Sequence, residues 1–250
     1  MKAKNIFKAV AGTAFAAFLL QACDKDYDQY VVVAYYPNAL VTVKQDADKT
    51  VYLQLDDKTT LFPTNMKSSP FGEKEVRALT NFTLTNGNSS HYDKAVHINW
   101  IDSILTKPAL PTTGTENEDK EKYGEDAVEI VKDWVTLAED GYLTLRFRTT
   151  WGSNRTPHRV NLITGVNTEN PYEVEFRHDA QGDTNGQIGD ALVAFNLKDL
   201  PDTEGQTVKL KLKWQSFSGP KSAEFDFCSR KTTVTANMGT EQLQFVNTLK

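Results

Sequence analysis

His178, Asp179 and Asp183 stand close together in the chain, and His158 precedes them by one strand-and-turn length. Imidazole and carboxylate groups together can hold a divalent metal, and a metal-bound water could hydrolyse a substrate. Strand parity points to a different role. His178 continues the row of Val174 and Phe176, so it is expected to close the end of a core and bond a loop carbonyl. The structural role is the favoured one. No catalytic residue, metal ligand or cofactor is assigned.

Two neighbouring loops carry a second chemistry. Trp151-Gly152-Ser153-Asn154-Arg155 and Gln181-Gly182-Asp183-Thr184-Asn185-Gly186 offer an aromatic face, amides, a guanidinium and a carboxylate. That set suits a sugar, which stacks a ring face on tryptophan and takes paired hydrogen bonds at its hydroxyls. It is also the ordinary composition of an exposed hairpin. Trp151, Asn154, Arg155, His178, Asp179 and Asp183 are therefore the candidate ligand-loop residues. No nucleophile elbow, HExxH, phosphate-binding glycine loop or paired CxxC occurs.

The elements that must position these loops read as strands. Val51, Leu53 and Leu55 alternate with polar neighbours, as do Phe82 and Leu84, and Val96, Ile98 and Trp100. With an apolar stretch at Val31-Val32-Val33-Ala34, about five strands make a small barrel or roll over residues 36–106. Residues 107–126 hold Pro108, Pro111, Gly114 and a charge run over 116–122, and read as a solvated interdomain linker. Residues 127–131 fit a helix or a strand.

From there to residue 228 the alternation is cleaner. Leu143, Leu145 and Phe147 oppose Tyr142, Thr144, Arg146 and Arg148, and Val208, Leu210, Leu212 and Trp214 oppose a lysine row. Ala223, Phe225 and Phe227 oppose Glu224 and Asp226. Strands with one apolar face predict antiparallel sheets, packed as a sandwich over residues 127–228. The run Ala191-Leu192-Val193-Ala194-Phe195 is apolar on both faces and is expected to be central. The fold class is all-β, a small N-terminal barrel followed by a C-terminal antiparallel β-sandwich. Residues 229–250 are a tail or an extra strand.

The amino terminus gives an address. Lys2, Lys4 and Lys8 precede an apolar run over 9–20, and Leu20-Gln21-Ala22-Cys23 follows, then Asp24-Lys25-Asp26. The run is too short for a membrane span of about 20 residues and fits a signal-peptide core. A small residue before cysteine, with leucine three before it, is the pattern cleaved by lipoprotein signal peptidase. Residues 1–22 are thus a signal peptide, Cys23 carries the lipid, and 23–35 form a tether. Acyl chains contribute about 0.8 kcal/mol per buried methylene, enough for two or three of them to anchor the chain permanently.

The chain has 28 Lys+Arg, 33 Asp+Glu and two cysteines. Without the three signal lysines the formal charge is about −8, which argues against nucleic acid as a partner. Cys228 has no intramolecular partner once Cys23 is acylated. The partners expected are a membrane, through the lipid, and a protein or glycan.

Several motifs resemble a known family. Val51-Tyr52-Leu53-Gln54-Leu55-Asp56-Asp57 with Leu61-Phe62-Pro63, Asp102-Ser103-Ile104-Leu105-Thr106-Lys107-Pro108, Trp151-Gly152-Ser153-Asn154 leading to His158-Arg159-Val160-Asn161-Leu162-Ile163, Glu175-Phe176-Arg177-His178-Asp179-Ala180 and Val193-Ala194-Phe195-Asn196-Leu197 are similar in order and spacing to NigD-like lipoproteins of Bacteroidota. The resemblance spans residues 1–228. It implies an N-terminal OB-like domain and a C-terminal β-sandwich, with no catalytic residues to carry over. Through the family's association with a bacteriocin gene cluster, it implies an accessory or immunity role. Asp24 and Asp26 resemble the surface-export signal of such bacteria, and Asp102-Ser103-Ile104 resembles their O-glycosylation sequon, with Ser103 as acceptor. The expected function is a non-catalytic, envelope-anchored binding or accessory protein in the outer membrane, on its periplasmic face or at the cell surface. The alternatives are an extracytoplasmic hydrolase using the His178–Asp183 loop and a bacteriocin immunity protein.

Overall fold

The computed structural model describes residues 36–152 and 156–230. The proposed signal peptide, Cys23, the tether to Tyr35, Asn154, Arg155 and residues 231–250 lie outside them.

Strands β1 (Ala39–Gln45), β2 (Val51–Gln54), β3 (Thr60–Pro63), β4 (Val76–Leu84) and β5 (Lys94–Ser103) close into a barrel in the order β1-β2-β3-β5-β4. Val41, Val43, Val51, Leu53, Leu61, Ala78 and Val96 fill it. The alternation of valine and leucine with polar residues predicts this inward row, since successive strand side chains point to opposite faces. The strand β1 is an addition. Its alternation is masked because all of Ala39, Leu40, Val41, Thr42 and Val43 are buried, the outward ones by the second domain.

The sandwich begins earlier than the sequence predicts. Instead of a solvated linker, residues 107–126 contain the end of β6 (Leu105–Pro108), all of β7 (Leu110–Pro111) and helix α1 (Glu116–Tyr123). Both short strands pair in parallel, β6 with the later β13 (Gln187–Asn196) and β7 with β11 (Arg159–Thr164), so one segment crosses from one sheet to the other. The prolines are compatible because both strands are at sheet edges. The charge run is helical because Thr115 caps it: Glu118 N donates to Thr115 Oγ1 at 3.3 Å, and the Thr115 hydroxyl donates in turn to Glu118 Oε2 at 3.0 Å. Asp119, within that run, is buried and accepts bonds from both hydroxyls of Thr112 and Thr113 and from Thr113 N.

The remaining strands are β8 (Glu129–Val131), β9 (Leu137–Glu139), β10 (Tyr142–Trp151), β12 (Glu173–Asp179), β14 (Val208–Ser216) and β15 (Gly219–Phe227). The ambiguous stretch 127–131 is thus strand from Glu129 onward. One sheet runs β6-β13-β10-β8, with β9 also on β10; the other runs β15-β14-β12-β11-β7. Most pairs are antiparallel, but β12 and β14 are parallel, like the β6 and β7 pairs. The inner rows predicted from alternation, with Leu143, Leu145, Phe147, Leu210, Leu212, Trp214 and Phe227, form a single core with Leu162, Val174, Phe176 and Phe195. Each large apolar side chain so buried contributes roughly 1.5–3 kcal/mol.

The expected wet face of β10 is not wet along its first half. Tyr142 and Thr144 are buried there, and β13 is apolar on both faces for the same reason: the barrel lies on this side. Leu40 and Ile104 pack with Val135, Tyr142 and Ala194, flanked by Leu79, Leu137 and Leu192. Polar bonds surround this layer. Arg77, fully buried in β4, donates to Thr42 Oγ1 at 3.0 Å within the barrel and to Glu139 Oε2 at 3.3 Å in the sandwich. Lys44 Nζ lies 2.7 Å from Asp140 Oδ1, Tyr142 Oη donates to Glu75 Oε1 at 2.7 Å, and Arg230 bridges Glu75 and Asp140. An apolar layer ringed by such pairs joins barrel and sandwich into one unit.

Candidate functional site

The register of β11 against β12 sets Arg159 opposite Asp179 and Val160 opposite His178. His158, one residue before β11, is thereby carried over the end of β12. Its Nδ1 is 2.9 Å from His178 Nε2, and its Nε2 is 3.4 Å from Asp183 Oδ2. His178 Nδ1 lies 3.3 Å from Asp126 O. A carbonyl only accepts, so that nitrogen carries the hydrogen, and in the neutral ring Nε2 then accepts from His158 Nδ1. The chain of contacts runs from the Asp126 carbonyl through both imidazoles to Asp183.

Trp151 closes it from the other sheet. Its ring stacks on His158 with centroids 4.2 Å apart, and its Nε1 donates to Gly189 O at 3.0 Å. Asp183 Oδ2 also accepts from Gly152 N at 3.2 Å. Gly152 is glycine because the loops touch there: a Cβ would sit 2.2 Å from Asn185 O and 2.3 Å from Asp183 Oδ1. Asp179 turns away, accepting from Gln181 N at 2.8 Å, and Gln181 Nε2 donates to Pro157 O.

The sequence candidates Trp151, His158, His178 and Asp183 thus meet, while Asp179 stays at its own turn. The side chains of His158 and His178 are almost wholly buried, so the imidazoles fasten the two loops to the core from beneath. The predicted bond from His178 to a loop carbonyl is present. Among the described residues no three His, Cys, Asp or Glu side chains are grouped to hold a metal ion. Ser103 is exposed at the end of β5, and Cys228 lies just past β15 beside Thr203.

Burial first, and the neighbouring His158 second, push the His178 imidazole below its ordinary value. Unfolding releases it to titrate near 6.5, so the unfolded chain takes up the proton more readily. Its contribution to stability is present above that range and is lost as pH falls. Melting curves between pH 8 and 5 are expected to show a falling midpoint, with a shallower slope in His178→Gln. An unchanged slope in the variant would remove His178 from this role.

A larger concavity, of about 680 Å³, lies where the domains meet. Lys74 and Glu75 face it from the barrel; Tyr142, Leu200, Phe227 and Lys198 face it from the sandwich. Its volume falls in the range of small-ligand sites, which favour domain junctions. Sequence reasoning missed it, because no local pattern says which parts of two domains will meet. The Asp140-Gly141 pair between Leu137-Ala138-Glu139 and Tyr142-Leu143-Thr144 is the one available signal, a two-residue hairpin turn.

Comparison with known proteins gives two family matches. Residues 40–104 match the NigD-like N-terminal OB domain, and residues 111–227 match the NigD-like C-terminal beta sandwich domain. Among solved structures, a putative toxin related protein from Parabacteroides distasonis is 35% identical, with a TM-score of 0.63 over 79% of this chain and 96% of that one. A protein of unknown function from Bacteroides vulgatus is 20% identical, with a TM-score of 0.59 over 78% and 90%. A NigD-like immunity protein from Bacteroides caccae is 23% identical, with a TM-score of 0.51 over 76% and 93%. The last two show a shared fold. No curated protein matches.

Proposed function

The chain belongs to the NigD-like family, and we propose that it is a non-catalytic, envelope-anchored lipoprotein that serves as a binding or accessory protein for a protein or glycan partner. The observation that supports this reading is the preformed cleft at the domain junction. Its walls come from both domains, and the contacts of the buried Arg77, the largely buried Lys44 and the partly exposed Arg230 hold those walls in place. A rigid concave surface binds with little loss of freedom on association. Membrane attachment rests on the Leu20-Gln21-Ala22-Cys23 pattern, and placement in the outer membrane or at the cell surface rests on the acidic residues after it.

The test is capture from living cells. A photoreactive residue replacing exposed Lys198, at the mouth of the cleft, is expected to trap one defined envelope component when the chain carries Cys23. Cells fed labelled palmitate should mark that chain and not Cys23→Ala. Failure to trap any component, with the chain correctly lipidated, overturns the binding role; label on Cys23→Ala overturns the anchor.

An immunity role is the second reading, favoured by the relative described as a NigD-like immunity protein. It expects deletion of the gene to sensitise the cell to a secreted antibacterial peptide, and an unchanged sensitivity sinks it.

A further inference from the structure

A separate cavity of about 410 Å³ lies on the outer face of the sheet that contains β12 and β14, bordered by helix α1 and the 112–115 loop. Alternation along β12 puts Val174, Phe176 and His178 inward, and Glu175 and Arg177 outward. Lys213 is the cross-strand partner of Glu175 and joins them in lining the cavity.

Arg177 is the unusual member. It is 2% exposed, and its Nη2 donates to Glu175 Oε2 at 2.8 Å. Its Nε is buried with no hydrogen-bond partner among the described residues. Native proteins pair nearly all such donors, and Arg177 lines the cavity, so a small turn of its guanidinium would offer the unpaired donor to an acceptor from outside. A guanidinium presents its donors in a fixed plane, which suits oxygens held at the spacing of neighbouring hydroxyls or of a carboxylate.

The charge of the wall chooses between those two. Lys120, Arg177, Lys213 and Lys221 are balanced by Glu116, Asp119, Glu125 and Glu175. Lys120 is held by Glu116 and Glu125, and Asp119 is occupied by Thr112 and Thr113. No net positive field remains to draw an anion. Carboxylates on the rim can accept from hydroxyls, while Arg177 and the half-exposed Lys213, whose ammonium also reaches Glu173 Oε1 at 3.4 Å, can donate to oxygens. A neutral ring bearing several hydroxyls satisfies both kinds of group, and a balanced wall gives a phosphate or carboxylate no net attraction.

We infer that this cavity binds a neutral saccharide unit, with sugar oxygens accepting from Arg177 and Lys213 and sugar hydroxyls donating to the surrounding carboxylates. The site lies on another face of the molecule than the junction cleft that supports the proposed binding role.

The full chain in detergent would be titrated with maltose, cellobiose, lactose and a mannose disaccharide, followed by ligand-observed NMR and calorimetry. At least one is expected to bind saturably. Arg177→Met should weaken that binding tenfold or more, and Lys213→Met about fivefold. Lys213 is solvent-facing, so its variant stays informative even if the arginine variant fails to fold. Glucuronate and inorganic phosphate at equal concentration should not compete. Absence of saturable binding by all four sugars overturns the site. So does binding that Lys213→Met leaves unchanged, or displacement by glucuronate or phosphate. Capture through Lys198 should be the same in Lys213→Met, so failure here and failure of the accessory role are told apart.

Discussion

Arg77→Met will destabilise the protein by about 3–5 kcal/mol at neutral pH, the cost of removing one partner from a buried ion pair. Arg77 is fully buried, and burial is the chief influence lowering its guanidinium's proton affinity, opposed by Glu139. The methionine keeps much of the side chain's bulk while removing every donor. Thr42 and Thr144 lose a partner, and Glu139 loses its counter-ion. Burial already raises the Glu139 carboxyl above its ordinary value, and the variant raises it further. A group so raised is fully stabilising below its unfolded value, and its support is lost as pH rises through its folded value. The deficit should therefore be smaller at pH 5 than at pH 8. Urea unfolding followed by tryptophan fluorescence measures this, with Trp100 in the barrel and Trp151 and Trp214 in the sandwich as reporters. Adding Glu139→Leu should recover most of the loss, because an apolar pair avoids the desolvation cost of both charges. A loss below about 1 kcal/mol would place Arg77 among ordinary surface pairs and dissolve the account of how the domains are joined.

The same burial explains where sequence reading succeeded. Alternation is a local property, so the inner rows of both domains were legible, as was the central place of β13 from its two apolar faces. Tyr142 and Thr144 read as solvent-facing because they alternate with Leu143 and Leu145; the barrel that covers them is contributed by residues far away in the chain. The linker reading failed for a related reason. Pro108 and Pro111 do mark places without ordinary ladder bonding, but edge strands tolerate them as well as loops do, and a charge run that begins with Thr115-x-x-Glu118 carries a helix start. At the loop site, residue types were legible and their geometry was not. His158 meets His178 only through the register of β11 on β12, and that register is set by core packing. Arg77 and Arg177 illustrate the limit best. Each lies in a strand with apolar neighbours, and nothing local says that one is sealed between two domains while the other lines a cavity.

Asp140→Asn tests the other half of the junction. Asp140 and Gly141 form the turn between β9 and β10 with φ of 50° and 71°, the left-handed region that asparagine and aspartate tolerate better than most residues. Asparagine therefore preserves the turn while removing the charge that Lys44 and Arg230 share. Arg230 retains Glu75 at 2.6 Å, whereas Lys44 loses the carboxylate 2.7 Å away and remains largely buried. The expected loss is about 2–4 kcal/mol, the range between a charged hydrogen bond and a broken buried pair. Burial chiefly lowers the Lys44 ammonium's pKa, and Asp140 opposes this by raising it; without Asp140 the lowering grows. Below both folded and unfolded values the full penalty applies, and it disappears as pH rises toward the ordinary lysine range near about 10.4. The variant's deficit, measured by urea unfolding at pH 7 and pH 10, should shrink at the higher pH. Asp140→Ala should be worse by roughly 1 kcal/mol, because alanine also strains the left-handed turn. If Asp140→Ala and Asp140→Asn were equally stable, the turn would carry no strain; if neither lost stability, Lys44 would be a solvated surface lysine rather than a buried cation of the junction.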